Sequence, residues 1–270
     1  MVGSFREAEL AGWTARATSY NQLFVPITGQ VIGPIVGVLG SLDGMTVLDV
    51  CCGPGHLAAA VAAQGAVVEG IDFAATMVAK ARENHPAVLF READAEALPY
   101  ENGTFDHVVC AFGMMHLGRP EVAIAEAFRV LRPQGRYVFT QWAMDDDLLR
   151  IVTAALAEHS VPVPDLPPAP PPMRFSDPAE CRRVLEAAGF ADLHDERVEI
   201  RWTTERPEAV LDLIQGGAVR VAMILDAQPP ERRTRTLDAI LASVRARAIG
   251  GTVVLRRPAV LASGVKPAIR

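Results

Sequence analysis

At 270 residues, 50% apolar and 21% charged, the chain is long enough for one large domain, or one domain plus a cap, and too apolar for disorder. Its net charge of −6 argues against a nucleic-acid surface as the main business. Cys51, Cys52, Cys110 and Cys181 show no spacing that suits zinc, so they read as reduced thiols in a cytoplasmic protein, with no metal expected.

The opening "MVGSFREAEL" lacks the apolar centre of a signal peptide. Residues 1–44 read as an N-terminal helical cap segment. The apolar run "VIGPIVGVLG" (31–40) is broken by glycine and proline and is too short for a bilayer, so no membrane span is expected. From residue 45, short β-type runs alternate with helical ones. "MTVLDV" (45–50) predicts a strand, and "HLAAAVAAQG" (56–65) a helix stopped by Gly65. "AVVEGID" (66–72) predicts a strand, "AATMVAKAREN" (74–84) a helix and "AVLFREA" (87–93) a strand. "TFDHVVCAF" (104–112) predicts a strand, "EVAIAEAFRVL" (121–131) a helix and "GRYVFTQW" (135–142) a strand. Such alternation means a mainly parallel sheet covered by helices on both faces, with its strand C-termini along one ligand-binding edge. Residues 45–160 therefore read as a ligand-binding core.

"VPVPDLPPAPPP" has seven prolines in twelve residues and predicts an extended connector over 161–174. "FSDPAECRRVLEAAGF" (175–190) carries a cap at Ser176 or Asp177, Pro178 in the first turn and Gly189 at the stop. "DLHDERVEIRW" (192–202) and "TVVLRRPAVLASGVK" (252–266) each read as one strand, with two or more helices between them over 207–249. Residues 175–270 would thus complete the sheet and insert a helical lid, about 205–250, over its ligand edge. Residues 231–270 hold nine Lys/Arg against two Asp/Glu. That excess reads as a solvated face or as a patch for an anion or partner, and a homodimer is left open.

The stretch "VLDVCCGPGH" (47–56) passes from a buried strand through a glycine turn into a helix start. A helix N-terminus offers unpaired N–H groups and a positive dipole end, which suit a carboxylate or phosphate. Gly53 and Gly55 have no Cβ and let a ligand approach the backbone. Two ligands fit: a dinucleotide, or S-adenosylmethionine (SAM) through its carboxylate. "GPGHLA" (53–58) matches G-x-G-x-x-A, and Asp72 ends the next strand, where a ribose-binding acid belongs. Pro54 withdraws one N–H from the loop, which favours SAM over a pyrophosphate.

"VLDVCCGPG", "VEGIDFAATMVAKARE", "READAEALPYENGTFDHVVC" and "VLRPQGRYVFT" together resemble the class I SAM-dependent methyltransferases. The likeness is strongest to the broad family (methyltransferase type 11) that includes the ubiquinone/menaquinone-biosynthesis methyltransferases. It covers residues 45–142 and continues loosely through "FSDPAECRRVLEAAGFADLHDERVEI". The resemblance implies an α/β, Rossmann-like fold: a mostly parallel seven-stranded sheet with an antiparallel last strand, helices on both faces and a helical cap. It implies SAM as cofactor. It also implies that Asp49 supports the loop, that Cys51 and Gly53 lie beside the methionine part, and that Asp72 takes the ribose hydroxyls. Phe73 and Met77 would flank the adenine, Asp94 would accept from its amino group and the Ala95 N–H would donate to the ring. Ala111 and Phe112 would lie near the sulfonium. Many relatives have glycine where this chain has Cys51. Bland roles stand beside these: a helix cap for Asp49 or Asp72, a solvated turn for Asp94, core packing for Met77.

Methyl transfer is an in-line displacement at an activated carbon, so the protein must chiefly align the acceptor and exclude water. A general base is needed only when the acceptor must lose a proton. His116, just past the fourth strand, is the candidate base, with a backbone-bonded loop histidine as the alternative role. His56 follows the glycine loop, near the expected place of the carboxylate, and Tyr20, the other catalytic candidate, precedes the core where the resemblance implies a tyrosine that covers SAM. Trp13, Met114, Met115, Trp142, Trp202, Met223 and Ile224 would give an apolar chamber. The expected activity is transfer of a methyl group to O, N or C of an apolar or aromatic small molecule, with secondary metabolism as its setting. Non-methylating use of SAM, a non-catalytic SAM-binding regulator and a nicotinamide-dependent oxidoreductase are the alternatives.

Overall fold

The computed structural model describes residues 4–164 and 166–268. Parts of the predicted segments 1–44, 161–174 and 175–270 lie outside the described residues. Seven strands form the main sheet: β1 (Thr46–Val50), β2 (Val67–Asp72), β3 (Leu89–Glu92), β4 (Phe105–Ala111), β5 (Leu131–Trp142), β6 (Ala191–Val198) and β9 (Ala259–Val265). Their order is β3-β2-β1-β4-β5-β9-β6. Neighbours from β3 to β5 run parallel, and β9 is antiparallel to both β5 and β6. The expected Rossmann-like α/β sheet is thus present. Its chain order reverses between β1 and β4, the position where such sheets open a crevice at the strand C-termini.

The strand residues divide between the two faces with a period of two, which is why a continuous apolar run folds here as a strand covered on both sides. Val47, Val109, Val138 and Leu261 join one core, with α3 (Ile32–Leu39), α4 (His56–Ala62) and α7 (Asp147–His159). Leu48, Val108, Phe139 and Ala262 join the other, with α6 (Pro120–Val130) and α8 (Pro178–Ala187). Asp177 caps α8 by accepting from the Ala179 N–H at 2.9 Å, with Pro178 at the first helical position. Helix α7 stands where no element was predicted.

Both late strands break. The predicted strand 192–202 is β6 followed by β7 (Arg201–Thr204), and 252–266 is β8 (Val253–Arg256) followed by β9. β7 and β8 leave the main sheet and pair with each other. The joint has a physical cause: Pro258 lacks an N–H, while the Arg257 N–H donates to the Ile200 carbonyl at 2.8 Å and ties the two bends together.

The chain's first helix, α1 (Phe5–Leu23), opens with a capping box between Ser4 and Glu7. The short α2 (Val25–Thr28) follows it, and α5 (Ala75–Asn84) packs beneath it. α1 crosses α9 (Ala209–Gly217) and α10 (Val219–Asp226) at close range. A Cβ on Gly12 would stand 2.2 Å from Val219, and one on Gly217 would stand 2.2 Å from Phe24, so these helices meet only because both residues are glycine. The third inserted helix, α11 (Pro230–Arg245), packs on α7 instead. Among the described residues no single helix is long and apolar enough to cross a membrane.

Candidate functional site

A cavity of about 530 Å³ opens at the C-terminal edge of the sheet, within the usual range for small-molecule sites. Its floor comes from the ends of β1, β2 and β4. Cys51 and Gly53 line it after β1, Asp72 and Phe73 after β2, and Ala111 and Phe112 after β4. Met77 reaches it from α5, and Asp94 and Ala95 border it after β3. Tyr20 and His116 also line it. Asp49 and Gly55 do not.

Gly55 departs from its expected role. A Cβ there would lie 2.6 Å from the Phe90 ring and 3.1 Å from Ala81, so the glycine admits Phe90 into the core rather than a ligand. Gly53, by contrast, has φ +52° and open space where a side chain would be. Asp49 lies fully buried beneath the loop, beside a smaller space shared with Tyr20, Gly53 and His56. One of its carboxyl oxygens has no hydrogen-bond partner among the described residues. Burial pushes its pKa up to about 8 against the opposing Ala58 N–H, so at neutral pH this carboxyl holds its proton. Raising a buried acid's pKa makes the fold lose stability as pH climbs from about 4 to about 8. Asp49→Asn is therefore expected to match the wild-type melting temperature only below about pH 4 and to exceed it at neutral pH, where the wild type has lost most of this contribution. The fall in stability between about pH 4 and pH 8 should flatten in the variant, read by thermal unfolding across a pH series.

Asp72 is buried and well held. Its Oδ2 accepts from the Gly53 N–H at 3.0 Å and its Oδ1 from the Ala74 N–H at 2.9 Å. Burial nevertheless pushes its pKa up to about 6. Each oxygen keeps a further lone pair. Asp94 accepts the Glu96 N–H at 2.9 Å and pairs with Arg6 at 2.9 Å. The Arg6 guanidinium also stands 5.8 Å over the Phe73 ring. Met77 is buried with Trp13, Ala17 and Val219, so it both packs and borders the cavity.

Two non-glycine residues on this edge have left-handed backbone: Cys51 at φ +57° and Phe112 at φ +56°. Each costs about 1–2 kcal/mol, and such strain gathers at ligand sites. The Cys51 position thus explains itself as one that glycine would fill without strain. Its thiol packs near Cys110, and hydrogen bonding to that thiol together with burial raises its pKa. Phe112 stacks on Trp142 with centroids 4.1 Å apart.

The N-terminal helix supplies groups that the sequence reading missed. Glu9, 1% exposed, meets His116 Nδ1 at 2.7 Å through its Oε2. Trp13 packs edge-on to that imidazole at 4.8 Å and to Tyr20 at 5.2 Å. Arg6, Glu9, Trp13 and Tyr20 recur at three-, four- and seven-residue steps, one helix face, and that spacing was the available signal. Burial pushes the Tyr20 pKa up to about 12, so its hydroxyl stays protonated. His56 turns away, bonding Asn21 at 2.8 Å and facing His85, and burial lowers its pKa.

The chamber also differs from expectation. Trp13, Met115, Trp142 and Ile224 line it, whereas Met114, Trp202 and Met223 pack behind it. The proline-rich segment is wall rather than spacer: Ala169, Pro170, Pro172 and Met173 border the cavity. It is held there by Arg220 on the Pro167 carbonyl at 2.7 Å and Gln141 on the Pro172 carbonyl at 2.5 Å. Asp146 and Arg257, a buried ion pair at 2.9 Å, border it as well. Of the inserted helices α9 and α10 face the cavity, and α11 does not.

A methyltransferase-domain family model matches residues 47–135. The demethylmenaquinone methyltransferase of Renibacterium salmoninarum is 33% identical over 109 residues, 40% of this chain and 46% of its own. That of Thermus thermophilus is 44% identical over 102 residues, 36% of this chain and 46% of its own. The chain thus spans about half the length of the curated relatives it matches. A solved phosphoethanolamine N-methyltransferase 2 of Haemonchus contortus, in complex with phosphomonomethylethanolamine and S-adenosylhomocysteine, shares the fold at TM-score 0.62 and 17% identity. It covers 99% of this chain and 61% of its own. The loop after β1, the acid ending β2 and the Asp-Ala pair after β3 all fall inside the matched segment, so residues 47–135 form a methyltransferase domain, similar in sequence to that of the demethylmenaquinone methyltransferases.

Proposed function

We propose that the protein transfers a methyl group from SAM to O, N or C of an apolar or aromatic small molecule, in a biosynthetic, secondary-metabolic role. The observation that carries the reading is Asp72. Its carboxylate is fixed by two backbone N–H groups, borders the cavity and keeps free lone pairs for two sugar hydroxyls. Gly53 presents open space beside it, so the residues present fit the cofactor. In this reading Cys51 and Gly53 hold the methionine part, and Ala111 and Phe112 border the sulfonium. Phe73 and Met77 flank the adenine. Asp94, shared with Arg6, takes the adenine amino group, and the Ala95 N–H serves the ring. Asp49 supports the loop as a neutral acid.

When bound, SAM supplies a methyl group on a positively charged sulfur, already activated for displacement. The protein's own work is to orient and to dry the site. Trp13, Phe112 and Trp142 present apolar faces, and the cap formed by α1, α9, α10 and the proline-rich segment excludes water. As a carboxylate Glu9 only accepts, so His116 carries its proton on Nδ1 and keeps Nε2 as the base. His116 takes the proton from a hydroxyl acceptor, and Tyr20 covers the cofactor. In this organisation residues 45–160 are the cofactor-binding core, while α1, α9 and α10 close over it. We place the protein in the cytoplasm and leave both a monomer and a homodimer compatible with this site.

Titration calorimetry against SAM, S-adenosylhomocysteine and NAD(P) tests the reading. Binding of both adenosyl compounds with no heat from the nicotinamide nucleotides is expected. Nicotinamide binding alone would overturn it.

A further inference from the structure

We infer that Arg257 anchors an acceptor subsite in this cavity, one that seats a planar aromatic ring through a conjugated ketone or phenolic oxygen. The inference rests on the methyl-transfer reading above and names the acceptor's recognition chemistry. Arg257 sits at the bend between β8 and β9, 5% exposed. Its Nε donates to Asp146 Oδ2 at 2.9 Å. Asp146 is fully buried, and its Oδ1 caps α7 by accepting the Leu149 N–H at 2.9 Å. The guanidinium stands 4.2 Å from the Trp142 ring centroid and 5.6 Å from that of Phe24. Its Nη1 is buried with no acceptor among the described residues.

Buried donors are nearly always satisfied, so an unfilled guanidinium N–H on a cavity wall points to a group that arrives from outside. What surrounds it is aromatic. Tyr20 stacks on Phe24 at 5.3 Å, and Phe112 stacks on Trp142 at 4.1 Å. Arg257, Asp146, Phe24 and Trp142 all line the cavity. Rings at such a wall favour a flat conjugated partner. The charge balance narrows the choice further. Asp146 already neutralises Arg257, so the pair offers an N–H donor rather than a spare positive charge. A carboxylate would meet the Asp146 charge as well. A ketone or phenolic oxygen needs only the donor. As structural elements alone, such pairs are replaceable by apolar residues without loss, which gives no reason to keep one at a cavity wall.

The test is calorimetry in saturating S-adenosylhomocysteine with four matched probes: acetylnaphthalene, naphthol, naphthoate and ethylnaphthalene. The wild-type protein should bind acetylnaphthalene and naphthol about 10- to 100-fold tighter than ethylnaphthalene, the range of a hydrogen bond to a charged group. Naphthoate should fall below both. Replacing Arg257 alone would strand the Asp146 charge, so the informative variant is the double one, Asp146→Asn with Arg257→Met. It keeps the α7 cap, and its affinities for acetylnaphthalene, naphthol and ethylnaphthalene should converge to within about threefold, while S-adenosylhomocysteine binds as before. Should the double variant fail to fold, Arg257→Lys keeps the charge on Asp146, withdraws the Nη donors and should show the same loss. Arg233→Gln, which changes an arginine of α11 paired with Asp226 and away from the cavity, should leave the preference intact. Equal binding of the probes by the wild type, no binding of any, naphthoate as the tightest, or a preference that survives at position 257 would each overturn the subsite. Failure of S-adenosylhomocysteine to bind would instead remove the methyl-transfer reading, so the two failures are distinct.

Discussion

Asp72→Asn is expected to weaken SAM binding about 10- to 100-fold at neutral pH, the cost of replacing a charged acceptor of hydroxyl hydrogen bonds by an amide. The amide can still accept the Gly53 N–H, but its other half is a donor facing the Ala74 N–H, so one of the two anchoring bonds is lost as well. The variant should remain folded. In the wild type burial has pushed this carboxyl up to about 6. An acid whose folded pKa is raised binds its proton more tightly when folded, so its contribution to stability falls as pH climbs from about 4 to about 6. Removing the ionisable group takes that loss away and offsets part of the lost hydrogen bond.

The same shift predicts how binding responds to pH. Ribose hydroxyls donate best to an ionised carboxylate, so wild-type affinity should rise as pH passes upward through about 6 and level off above it. In Asp72→Asn this rise should vanish. Calorimetry at a series of pH values reads both effects. An unchanged slope in the variant would place the ribose elsewhere.

The parts of this molecule that local rules could reach are those where one residue's chemistry decides the outcome. Strand–helix alternation located the five strands from β1 to β5, because a buried strand must be apolar on both faces and its helix must be closed by a residue such as Gly65. Asp72 was open to reading as an acid that ends the strand after a glycine loop, whereas Asp94 and Ala95 came only from the likeness to the methyltransferase family. What escaped was decided between distant segments. The sequence "DLHDERVEIRW" keeps its alternation straight through the point where β6 ends and β7 begins, so nothing local marks the bend. Only Pro258, in the bend between β8 and β9, does. Gly55 looked like a ligand glycine because Phe90, thirty-five residues on, could not be placed against it in advance. The proline-rich segment read as a spacer because its anchors, Arg220 and Gln141, lie on other elements. Glu9 and Arg6 carry no local mark of a site in the sequence. Their partners, His116 and Asp94, are about a hundred residues away, and the packing of α1 over the sheet edge brings them together, with Glu9 buried and Arg6 half-exposed.

That Glu9–His116 contact leads to the second large effect. For transfer to a phenolic hydroxyl, His116→Ala should lower kcat by about 10²- to 10⁴-fold, the usual worth of a positioned general base. Its affinity for S-adenosylhomocysteine should stay within about threefold, since the role proposed for the imidazole is toward the acceptor's proton rather than the ribose. Glu9→Gln should lower kcat by a smaller factor, about tenfold, because the amide can turn either its oxygen or its nitrogen toward Nδ1 and no longer imposes one tautomer. The distinction is measurable without turnover. In the wild type, ¹⁵N spectra of His116 should show the proton on Nδ1 and the lone pair on Nε2, and Glu9→Gln should mix the two forms. Trp13 supports the same orientation from the ring's edge, 4.8 Å away. If His116→Ala retains full kcat, the histidine only fastens α1 to the sheet edge. The proton must then leave to water or to another group on the wall.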